Sequence, residues 1–191
     1  LSTVVFAKTL KAGAAAPVAM LAALACGVAL GLLNGVLLTA LRLPHPFVST
    51  LGMMNVARGA AMLLSGGFPI PDLSPGARVL GAGAVAGIPA PVLVMLAMFV
   101  LFGFILRQTV FGRDVYSIGG NPEASRLAGI PVKSRLNAVY AIAGGLAGLA
   151  AILLAGRMNA GFPLAEAGAE LDSIAAVIIG GASFFGGVGA V

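Results

Sequence analysis

Four stretches of this sequence carry no charged side chain for 19 residues or more: 12–41, 79–106, 136–156 and 173–191. A helix needs about 20 predominantly apolar residues to cross the hydrocarbon core of a bilayer. The chain is 60% hydrophobic and only 9% charged, so it has too little polar surface to coat a water-soluble globule around such runs. In lipid, every backbone N–H and C=O must be satisfied internally, which makes each run a helix. The expectation is an all-α fold: a polytopic transmembrane helical bundle of four or five spans, forming one domain over 1–191. Because the first residue is not Met and an apolar run reaches the last residue, the chain also reads as a piece of a longer one. Residues 1–11 lack the order of basic start, apolar core and small-residue cleavage site that marks a signal peptide.

The net charge of +5 does not point to nucleic acid, because no basic face interleaved with aromatics exists and Trp is absent. Instead the cations cluster. Arg107, Arg113, Arg126, Lys133 and Arg135, five of the 11 basic residues, fall in the polar island 107–135. By the positive-inside rule this island is expected on the cytoplasmic side, together with Arg42. Lys8, Lys11, Arg78 and Arg157 would then lie outside if every span crosses once. Six against four is a weak bias, so the density of the island decides the orientation. The lone Cys26 excludes an intramolecular disulfide. His45, between two prolines with no Cys, Asp or Glu beside it, gives no metal site.

Within the island the punctuation predicts a short helix over 122–128. Asn121 suits the N-cap and Pro122 the first helical position. Glu123 lies favourably in the first turn and pairs with Arg126 three residues on. Gly129 suits the position just past the end, and Pro131 prevents continuation. An isolated helix of two turns is marginal in water, so this one needs a partner surface. Ala124, Leu127 and Ala128 give it apolar content.

The spans carry their own marks. Gly27, Gly31 and Gly35 recur every four residues, a stripe that lets another backbone approach closely. Gly144 and Gly148, with nearby alanines, do the same in 136–156. Asn34 beside the first stripe either supports helix packing or lines a path. In 47–64, Arg58 interrupts the apolar character at a cost of about 2.5–3.5 kcal/mol if central. It belongs at the headgroup level, in an ion pair or on a pathway. Thr50 and Asn55 are the other polar candidates there. The region 65–78, rich in Gly and Pro, reads as a loop. Gly180, Gly181, Gly186, Gly187 and Gly189 make 173–191 a broken or re-entrant helix. Ser183, Phe184 and Phe185 in that break are pathway candidates, with packing as the alternative for the two aromatics.

No phosphate loop ending in Gly-Lys-Ser/Thr, no HExxH and no carboxylate pair within a span is present, so an enzyme is not indicated. An ion-coupled carrier would want intramembrane acids, which are absent from these runs. An external energy source fits better, and the capped helix is a place to receive it. A structural membrane subunit without a transport path is the third alternative.

Glu123-Ala124-Ser125 with Gly129 resembles the Glu-Ala-Ala-xxx-Gly loop of ABC-importer permeases, with Ser125 where the pattern has Ala. Three further stretches resemble the ribose/xylose/arabinose-type sugar permeases. They are 112–130, with Gly119-Gly120-Asn121 and Gly129-Ile130; 170–183, with Glu170-Leu171-Asp172 and Gly180-Gly181; and 46–59, with Thr50-Leu51-Gly52 and Ala57-Arg58-Gly59. The resemblance covers nearly all of the chain beyond the first ten residues. It implies a permease in the bacterial inner membrane that works as a dimer, in the simplest case of two identical subunits, with a cytoplasmic ATPase and a periplasmic sugar-binding protein. ATP and Mg would be bound by that ATPase, with no cofactor in this chain. Carried over, Glu123, Ala124, Ser125, Arg126 and Gly129 would form the coupling helix docking into the ATPase, with Gly119, Gly120, Asn121, Leu127 and Ile130 completing the loop. Branched-chain amino-acid permeases share the plan and are the nearest rival.

Overall fold

The computed structural model describes all residues except 42–45, 86, 166–167, 184–185 and 190–191. The helices in order are α1 Ser2–Lys11, α2 Ala16–Leu41, α3 Pro46–Ser65, α4 Pro75–Ala82, α5 Ala90–Gln108, α6 Val110–Gly120, α7 Pro122–Leu127, α8 Val132–Met158 and α9 Ala169–Ile179. Four two-residue strands make two small antiparallel ladders. In one, β1 Ile70–Pro71 pairs with β4 Ala160–Gly161; in the other, β2 Ala84–Val85 pairs with β3 Ile88–Pro89. The fold is all-α, as composition predicts.

Among the described residues four helices, α2, α3, α5 and α8, are long and apolar enough to cross a membrane. At 1.5 Å per residue, α5 with 19 residues reaches about 28 Å and α2 with 26 residues about 39 Å, so α2 has length to spare for tilt. Arg58 does not interrupt α3, which runs unbroken for 20 residues. It sits half-buried about 10 Å short of the helix end, within reach of the headgroup level for a snorkelling side chain.

Three stretches are refined by the structure. Within the charge-free run 79–106 the span begins properly only beside Pro89 and Pro91, the start those prolines suggest: Gly83 ends α4, the β2–β3 hairpin turns at Gly87 with φ +83°, and α5 starts at Ala90. Proline explains the restart, since Pro91 is tolerated only in a first turn. The loop 65–78 already contains the start of α4, which opens with Pro75 at its N-terminus. Helix α6, over 110–120, adds an element to the island beyond the predicted helix at 122–128.

The chain forms two compact units. The first comprises 1–93 and 137–165. Its core gathers Phe6 and Ala7 of α1, Ala19 and Ala23 of α2, Leu73, Ala77 of α4, and Ile152 and Ala155 of α8. Alanine and glycine dominate because backbones, rather than large side chains, make the contacts. A Cβ added to Gly31 would stand 3.0 Å from Gly144 Cα and closer still to the Tyr140 carbonyl oxygen. Gly27 meets Gly144 and Gly148 in the same way, and Gly35 meets Asn137 and Tyr140, so α2 and α8 run antiparallel in close contact. Thr39 Oγ1 donates to Asn137 Oδ1 at 3.2 Å at the end of that seam. At the other end of α8, Gly156 packs on Ala77 and Gly81 of α4. Thr3 Oγ1 donates to the Phe162 carbonyl at 2.9 Å, fastening α1 to the segment after β4.

The second unit comprises 94–136 and 166–191. It contains most of α5, then α6, α7, the first turn of α8, and α9 with the turn after it. Ile179 is the last helical residue of α9, and Gly181, Gly186 and Gly187 follow at φ +92°, +87° and +76°. The helical part of 173–191 thus ends at Ile179, and glycine-rich turns follow among the described residues. Across both units many large apolar side chains stay exposed, among them Phe99, Val100 and Phe104 of α5, the surface of a chain whose solvent is lipid.

Candidate functional site

A single hydroxyl joins the span to the polar island. Thr109 Oγ1 donates to the Ile105 carbonyl at 2.6 Å, closing α5, and accepts from Gly112 N at 3.2 Å, opening α6. Gly112 has no room for a Cβ, which would overlap the Leu106 backbone, so the chain can double back there. Helix α6 buries Ile118 and ends at Asn121, whose extended backbone (φ −156°, ψ 101°) separates it from α7.

Helix α7 follows its predicted punctuation closely. Asn121 Oδ1 accepts from Ala124 N at 3.0 Å, and Pro122 takes the first turn. At the far end Gly129 adopts φ +85°; Ile130 N donates to Ser125 O and Gly129 N to Arg126 O, each at 3.0 Å. That pair of bonds is a Schellman closure, and it places Gly129 and Ile130 in defined roles. Arg126 and Glu123 pair at 2.9 Å, but both side chains are more than two-thirds exposed, so the pair adds little stability.

Two of the helix's faces differ. Leu127 is 84% exposed, and Glu123, Ala124, Arg126 and Ala128 are also exposed. Ser125 faces the other way, 2% exposed, with its Oγ 2.9 Å from Ser117 Oγ of α6. Of the motif residues, Ser125 therefore anchors the helix while its neighbours present it. A second tie holds the start of α8 to α6: Arg135 Nε donates to Asp114 Oδ2 at 2.7 Å, and its guanidinium lies 5.6 Å from the Phe111 ring centroid. Both acids of the island are thus paired, while Arg107, Arg113 and Lys133 are exposed cations.

The pathway candidates divide between the units. Asn34 is buried, and its Oδ1 accepts a short hydrogen bond from Ser49 Oγ of α3, a polar clamp between α2 and α3. Thr50 Oγ1 donates to the Phe47 carbonyl at 3.1 Å, and Asn55 Nδ2 to the Leu51 carbonyl at 3.0 Å. Bonding back to its own helix lets each polar side chain sit in an apolar span. In the second unit, Ser183 and Ser173 line a groove of about 350 Å³ with Ile174, Val177, Ile178 and Ala182. Arg42, His45, Glu166, Phe184 and Phe185 lie outside the described residues.

Sequence reasoning missed Tyr116, Ser117, Asp114 and Arg135 as part of this site. Thr109 before an apolar pair was a legible cap signal for α6. The pairings Ser117–Ser125 and Asp114–Arg135 had no such signal, since they depend on how three helices pack. We expect Ser49→Ala to cost about 0.6–1.7 kcal/mol, the range of interhelical hydrogen bonds in membranes. Thr50→Ala should cost less, because its bond stays within one helix. Reversible unfolding in mixed micelles, followed by circular dichroism, distinguishes the two; equal losses would contradict the clamp.

The profile of the family described as branched-chain amino acid transport system / permease component matches residues 1–191. The chain belongs to this permease family. Among its curated relatives, the L-arabinose ABC transporter permease protein AraH of Azospirillum brasilense is 41% identical over 86% of this chain and 48% of its own length. The ribose import permease protein RbsC of Bacillus subtilis is 39% identical over 83% of this chain and 49% of its own length. RbsC of Escherichia coli K12 is 39% identical over 91% and 55% respectively. The chain spans about half the length of the curated relatives it matches. No solved structure matches it. Family membership and four apolar helices make this a multi-pass membrane protein.

Proposed function

We propose that this chain is the membrane-spanning part of an ABC-importer permease that moves a monosaccharide inward, powered by a separate ATPase. One observation carries the coupling role: α7 is capped at both ends, anchored by Ser125, and presents Leu127 almost fully exposed. A six-residue helix of that kind on a basic loop is built to be held by another protein. The partner is a cytoplasmic ATPase that binds ATP and Mg. A second permease subunit, in the simplest case a copy of this one, and a periplasmic sugar-binding protein complete the assembly in the bacterial inner membrane. The sugar assignment rests on the arabinose and ribose relatives; Asn34, Thr50, Asn55, Arg58 and Ser183 are the described candidates for its path. The family's description favours a second reading, a branched-chain amino acid as cargo.

The test uses the full-length permease in mild detergent and in proteoliposomes. Copurification of an ATPase subunit and ATP-dependent uptake of labelled ribose, arabinose or xylose with the cognate binding protein are expected. Uptake of leucine instead would move the assignment to the second reading. If no ATPase copurifies, the importer reading fails.

A further inference from the structure

The buried side of α7 leads to a contact that the docking role does not require. Through the Ser125–Ser117 hydroxyl pair, α7 is joined to α6. Next to Ser117, the Tyr116 hydroxyl donates to the Gly189 carbonyl at 3.0 Å. One turn on, backbone meets backbone: a Cβ on Gly119 would stand 3.1 Å from Gly187 Cα and nearer still to Gly187 N. In the reverse direction, a Cβ on Gly187 would be 2.9 Å from Gly120 Cα. The turn so gripped is closed on itself, because Ser183 N donates to Val188 O at 2.9 Å and Gly186 N to Ser183 O at 3.1 Å. Ser183 in turn lines the groove beside α9.

We infer that α7, α6 and the turn 186–189 form one lever, so that displacement of α7 is delivered to Ser183 and the groove. This rests on the proposed importer reading. Side chains absorb small shifts by changing rotamer, but a glycine-on-glycine contact has none to change, and a closely packed contact transmits what it receives. Tyr116, Ser117 and Gly119 are the positioning residues. Ser125 matters as well, since an alanine at that position would carry no hydroxyl to join the two helices.

Contiguity alone does not demonstrate coupling, so the test reads it directly. The full-length permease, assembled with its ATPase and binding protein, carries Ser183→Cys in a Cys26→Ala background. The rate of labelling by a membrane-impermeant maleimide is measured with and without ATP, beside ATP-driven uptake of labelled arabinose and ribose. We expect ATP to change the rate at Ser183→Cys by about fivefold or more, the lower end of ordinary coupling between sites. Gly119→Ala and Tyr116→Phe should abolish that change. Gly52→Ala, outside the lever and with nothing within 4 Å of its Cβ, should retain it. Tyr116→Phe removes one oxygen only, so it decides the matter if Gly119→Ala fails to accumulate. A response unchanged in Tyr116→Phe and in any Gly119→Ala that accumulates overturns the lever, as does no ATP response at Ser183→Cys in a transporter that takes up sugar. Loss of ATP-driven uptake in the unmodified permease would instead count against the importer reading.

Discussion

Gly31→Leu should leave little folded protein in the membrane. The position admits no side chain, since even a Cβ would overlap the Tyr140 carbonyl and crowd Gly144 Cα. Backbone atoms cannot step aside by rotamer change, so α2 must lift away from α8 along the whole seam. That separation would also loosen the Thr39–Asn137 bond and the core around Ala23 and Ile152. Ordinary overpacking costs about 1–3 kcal/mol, and a clash between backbones should exceed the top of that range. Gly52→Leu is the matched control, because nothing lies within 4 Å of a Cβ there. Fluorescence-detected size exclusion and thermal unfolding in detergent would show the contrast. Equal behaviour of the two variants would mean that the seam does not hold the unit together.

Leu127→Asp should abolish ATP-driven uptake by the full-length permease while leaving the membrane unit folded. The side chain is 84% exposed, and both caps of α7 lie elsewhere, at Asn121 and Gly129. In the docked complex, however, a carboxylate would replace an apolar anchor and lose its water. Anchors of this kind are worth about 2 kcal/mol or more, about thirtyfold in affinity. Glu123→Lys should act in the same direction with a smaller effect, since it sets like charges three residues apart and opposes the helix dipole. Copurified ATPase and transport rate are the readouts. Normal uptake in both variants would remove α7 from the coupling role.

The sequence by itself determined the class of fold and the shape of α7. Long charge-free runs leave a backbone in lipid only the helix, whatever its neighbours. The Asn-Pro opening and Gly-Ile closure of α7 act through bonds within ten residues, so local chemistry suffices to read them. The same locality explains the break after Ile179, where successive glycines take positive φ. Other features were decided only when the chain folded. Asn34 and Ser49 lie 15 residues apart, and Asp114 and Arg135 lie 21 apart; nothing local marks either pair. The glycine stripe of α2 announced a close neighbour, but only the tertiary structure chose α8. Ser125 shows the division most clearly. In sequence it is a small departure from a coupling motif. In the structure its hydroxyl is turned inward onto Ser117, because α6 occupies the space beneath α7 and a buried hydroxyl must find a partner.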